Sequence, residues 1–124
     1  MSRLPSPALV VSVIALGTTG NPAFENGWEN FGPNLYDTAA FYKDPLGVVH
    51  LKGSVSGGVI GSVFTLPVGY RPAKSQFFAV PANNAFGDVL VRGLSEGAQA
   101  GKVQLNTGDT SFASLDGITF RAAG

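Results

Sequence analysis

The chain has 124 residues, enough for one domain around one modest core. Its eight acidic and eight basic residues cancel, so no surplus of positive charge draws it onto nucleic acid or an anionic membrane, and neither partner is expected. The absence of cysteine excludes disulfide scaffolds, thiolate zinc sites and cysteine nucleophiles.

Residues 1–23 differ in character from the rest. Pro5 and Pro7 precede an apolar run over 8–16, which is shorter than the roughly 18 residues that cross a bilayer as a helix, so membrane insertion is not expected. Val10, Val11, Val13 and Ile14 are β-branched, apart from the general run, and favour an extended segment packed on something. The reading adopted is an attachment or oligomerisation segment over 1–23, ahead of a β-domain over 24–124. A secretion signal with Arg3 and small residues at Ala15 and Gly17, and a helix, are the rival readings.

Trp28, Phe31, Tyr36, Phe41 and Tyr42 concentrate aromatic surface in a short span. Trp28 and Phe41 read as core, while Tyr36, in a loop opened by Gly32-Pro33, is the one expected to be exposed. Asp44-Pro45-Leu46-Gly47 has the residue preferences of a type I turn. After it, Val49, Leu51, Gly53 and Val55 alternate with Val48, His50, Lys52 and Ser54, which predicts a hairpin with one buried face. A third strand is predicted over 59–66, stopped by Pro67, Gly69 and Pro72.

Further along, 77–80 reads as a short buried strand and 83–87 as a loop. Residues 88–92 and 102–106 pair with Val89, Val91, Val103 and Leu105 inward, joined by a small polar connection. A second polar loop covers 106–111, and 114–121 closes the fold. About eight short strands, with 17 glycines and eight prolines to turn between them, predict an all-β protein.

The segments YKDPLGVVHLKG, GGVIGSVFTLPVGYRP, FFAV and SLDGITFR resemble, in that order, the C-terminal domains of phage tail fibres and related virion adhesins. The resemblance spans roughly Asn26 to Arg121. It implies a small antiparallel β-sandwich, usually a homotrimer, that serves as a virion surface or host-recognition module; with the strand tally and the low charge it predicts a sandwich of jelly-roll type. Composition points the same way on association: charged residues are 13% of the chain, against roughly 25% in ordinary soluble domains. A defined oligomer that covers part of the surface is therefore expected.

The residues offer no firm catalytic constellation. His50 lies on the outward parity of its strand without an acid at Val48 or Lys52, and reads as a structural or interface residue. Asp109 and Asp116 would make an acid–base pair or a cation site only if folding brought them together; as solvated loop acids they need no such role. No metal or cofactor is expected. The binding reading rests on loop groups suited to sugar hydroxyls: Asn83, Asn84, Phe86 and Asp88 in one loop, Asn106, Asp109 and Thr110 in another, and Tyr36. The expected function is a non-enzymatic virion surface protein that binds a host-surface saccharide and attaches to another virion protein through its N-terminal segment. A capsid or tail decoration protein and a glycan-degrading tailspike enzyme are the alternatives.

Overall fold

A computed structural model of the chain describes residues 11–123. The protein is all-β with antiparallel sheets, as expected, and adds, among the described residues, a stretch of 3-10 turns over Leu94–Gln99 that is broken at Gly97, where φ is +60°. The strands are β1 (Ile14–Ala15), β2 (Glu29–Asn30), β3 (Ala40–Lys43), β4 (Val48–Lys52), β5 (Ser54–Ser56), β6 (Gly61–Thr65), β7 (Gln76–Ala82), β8 (Ala85–Val91), β9 (Lys102–Thr107), β10 (Ala113–Ser114) and β11 (Thr119–Arg121).

The Asp44–Gly47 turn forms as its residues dictate. The Gly47 N–H donates to the Asp44 carbonyl at 3.0 Å, and the Asp44 carboxylate accepts from the Leu46 and Val48 N–H groups. Gly47 follows with φ +84°, and the hairpin closes with Lys43 opposite Val49. Alternation then buries Val49, Leu51 and Val55. That alternating run is divided between two sheets at Gly53, whose φ is +92° and whose place against the Thr38 and Ala39 backbone has no room for a Cβ.

The order β1-β3-β4-β11 makes one sheet and β10-β5-β2 a second. β4 runs through Gly53 into β5, so the chain passes directly from the first sheet into the second. The opposing layer has the order β6-β9-β8-β7. There β7, β8 and β9 form a meander and β6 returns beside β9, a Greek key. One core cluster joins the layers, with Phe41 of the first sheet stacked on Phe64 of the third at 5.7 Å between ring centroids.

Several expectations need correction. The boundary between residues 23 and 24 does not divide the structure: β1 pairs with β3, Leu16 is only 3% exposed, and Ile14 packs on the core. From Ile14 onward the segment is part of the domain, because its amides complete the β3 edge and its apolar side chains close the core. Val11 and Val13 are exposed, and Val10 lies outside the described residues. The segment 83–87 is not a loop: Asn83, at φ +51°, and Asn84 make a two-residue turn, and Ala85, Phe86 and Gly87 are already strand. The strand predicted over 77–80 runs instead from Gln76 to Ala82 at a sheet edge, where alternation turns Phe77 outward. The closing strand is split between β10 and β11 by a turn at Leu115–Ile118, in which the Ile118 N–H donates to the Leu115 carbonyl.

Candidate functional site

The two polar segments that the sequence singles out meet at the tip of the Greek-key layer. They meet because backbone packs on backbone there: a Cβ on Gly87 would strike the Thr107 carbonyl oxygen, and one on Gly108 would lie 3.0 Å from the Ala82 Cβ. Asn83 donates to Asp109 Oδ2 at 3.1 Å across this junction, and Asp109 Oδ1 accepts from the Ser111 N–H at 2.8 Å. These bonds, that of Ser111 foremost, hold the Asp109 carboxyl below the usual carboxylate range.

One step down the strands, the β8–β9 register shifts at Asp88, so that Asp88 faces Thr107 while Val89 faces Leu105. The extra residue is Asn106, and a bulge of this kind lets two side chains address one partner. Thr107 Oγ1 donates to Asp88 Oδ1 at 2.5 Å and Asn106 Nδ2 to Asp88 Oδ2 at 3.1 Å. The pair, Thr107 first, lowers the Asp88 pKa and keeps it ionised. Arg92 Nε donates to Gln104 Oε1 at 2.9 Å and Gln104 Nε2 to Asn106 Oδ1 at 2.5 Å, extending the network along the same face. Arg92 is also paired with Glu96 at 3.2 Å.

Of the residues expected to bind, Asn83, Phe86, Asp88, Asn106 and Asp109 are therefore gathered on one end of one layer, and Asn84 is exposed in the turn beside them. Thr110 is half-buried and its carbonyl accepts from the Gly57 N–H. Tyr36 is 53% exposed and belongs to a separate aromatic stack, Tyr36–Phe31–Phe112, with centroid separations of 5.2 and 4.8 Å. Phe77, Arg92 and Gln104 extend the gathered surface and were not selected from sequence; the strand register, once Asn83-Asn84 is taken as a two-residue turn, places all three on the Phe86 face.

A second polar cluster lies on the first sheet. His50 Nε2 is 2.9 Å from Asp44 Oδ2, and the His50 ring stacks on Tyr42 at 4.7 Å with a 7° interplanar angle. The acid missing at Val48 and Lys52 comes from the turn across the hairpin, and the turn type alone would have supplied it by fixing Tyr42 opposite His50. The hydrogen bond from His50, with those from Val48 and Leu46, holds the Asp44 carboxyl below its ordinary value of 3.8. Asp109 and Asp116 are bound to different groups: Asp116 Oδ1 accepts from the Gly53 N–H at 2.7 Å and thereby braces the corner between sheets. Among the described residues no enclosed pocket opens and no three His, Asp or Glu side chains gather as a metal cluster. Compared with family models, curated proteins and solved structures, the chain matches none.

Proposed function

We propose that this protein is a non-enzymatic surface component of a phage virion, a trimeric tail-fibre-like adhesin that recognises a host-surface glycan. The observation that carries this is the junction of two polar hairpin ends, Asn83 to Asp109 and Asp88 to Asn106 and Thr107, beside the exposed Phe86 ring. A stiff β-scaffold presenting amide, carboxylate and hydroxyl groups next to an aromatic face suits a polyhydroxylated ligand.

A jelly-roll-type sandwich is the architecture proposed for it. The nested pairing of β4 and β5 with β11 and β10, of β6 with β9, and of β7 with β8 supports a wound ribbon, which departs from the simple pattern where β8 rather than β7 lies beside β9. The trimer is supported by low charge and by the exposed Leu35, Leu46, Val59 and Val68.

Fluorescently labelled full-length protein should bind intact host cells and should be found at the tail on assembled particles by antibody labelling. Tail location without host-cell binding would favour the decoration reading, which Val11 and Val13, exposed ahead of β1, support as an attachment point for another virion protein. Release of reducing ends from host glycan that is lost in Asp109→Ala or Asp116→Ala would instead establish the tailspike-type enzyme.

A further inference from the structure

We infer that the outward face of the β7–β8–β9 meander, between Phe77 and Phe86, is a binding platform for a neutral oligosaccharide. This rests on the adhesin reading and assigns its surface and ligand class. Register places Phe77, Ala79 and Pro81 of β7 opposite Leu90, Asp88 and Phe86 of β8, all on one face. Phe77 is 69% and Phe86 82% exposed, an unusual placement for two large apolar rings with a carboxylate between them. Leu90 is the level of Phe77, so the two rings stand four residues apart along the strands, roughly 14 Å at about 3.4 Å per residue. That separation spans several sugar rings and exceeds one.

Between the rings, Ala79 opposite Asp88 is too small to cover the carboxylate. Asp88, Asn106, Gln104 and Arg92 hold one another in place, so ligand binding does not have to order them. Their bonds leave capacity on the network: a second N–H on each amide and further lone pairs on Asp88. Such a mixed set matches hydroxyls, which donate and accept at once, while the flanking rings can cover sugar C–H faces. Charge selects against acidic sugars, because Arg92 is already paired with Glu96 and Asp88 is anionic.

The test uses the full-length protein against an immobilised panel of neutral oligosaccharides of hexose and N-acetylhexosamine units, with uronic acid and sialylated members as controls. Binding to one or more neutral members is expected. Phe77→Ala and Phe86→Ala should each weaken it about tenfold, as the loss of about 1.4 kcal/mol of stacking implies. Asp88→Ala should abolish it, and Lys52→Ala, on β4 of the first sheet, should leave it unchanged. Melting temperature and sedimentation of the phenylalanine variants should match wild type. Host-cell binding that survives both phenylalanine substitutions would overturn the platform and leave the adhesin standing, whereas absence of both host-cell and panel binding would overturn the adhesin as well. Preference for acidic members, or dissociation of the oligomer by Phe77→Ala with Phe86→Ala, would also overturn it, the latter by making this face a contact between copies.

Discussion

Asp44 joins a backbone turn to a surface ring cluster, since one carboxylate caps Leu46 and Val48 and meets His50. Its folded pKa lies below the unfolded value, so its contribution to stability is present above about pH 4 and is lost as pH falls through the folded value. Asp88 and Asp109 are lowered in the same direction and add to the same acid loss. Asp44→Asn should therefore be less stable than wild type at neutral pH and should lose less on acidification; identical pH profiles by thermal melting would discount the capping role. Gly58 illustrates a different constraint. A Cβ there would enter the ring of Trp28, which is buried and donates Nε1–H to the Val59 carbonyl at 3.0 Å. Gly58→Ala should cost about 1–3 kcal/mol by overpacking. The chain's single tryptophan reports the change directly, as a shifted emission and an earlier fluorescence melt.

β1 is only two residues long, yet it is tied on both sides of the chain reversal that follows it. Leu16 N–H donates to the Ala39 carbonyl at 3.0 Å, Gly17 N–H to the Pro22 carbonyl at 2.9 Å, and Asn21 Nδ2 to the Ala15 carbonyl at 3.0 Å. Beyond it, Glu25 accepts from Ser62 and Thr65 and its N–H donates to the Val63 carbonyl, so this stretch covers the free edge of β6. Removal of residues 1–23 should lower the melting temperature strongly. Leu16→Ala alone should cost about 2–5 kcal/mol in urea unfolding, as a truncation in a packed core does. A melting temperature unchanged by removal of 1–23 would show that β1 is not an integral strand.

For the whole molecule, zero net charge and a thinly charged surface leave association to be limited by geometry rather than repulsion. Exposed Leu35, Leu46, Val59 and Val68 supply apolar area besides that of Phe77 and Phe86. Sedimentation at micromolar concentration should give a species of three 12.8 kDa chains. A compact monomer under those conditions would remove the trimer, and with it the reading of the low charge as a sign of burial.

Local chemistry was sufficient for much of this. Asp44-Pro45-Leu46-Gly47 determines its own turn, and the period of two after it determines which of Val49, His50, Leu51 and Lys52 go inward, because both depend on neighbours within a few residues. All-β architecture followed from the same short-range preferences summed along the chain. The grouping of Asn83 with Asp109, and of Asp88 with Asn106, was anticipated only as two separate polar segments. What brings them together is a Greek-key return and a bulge, set by how Gly87 and Gly108 let two backbones approach. The place of β1 is not legible in the sequence for a related reason: an apolar β-branched run has the same composition whether it docks on another protein or on β3. Only the tertiary structure decides between them, since burial of Leu16 and the edge of β3 depend on chain more than twenty residues away.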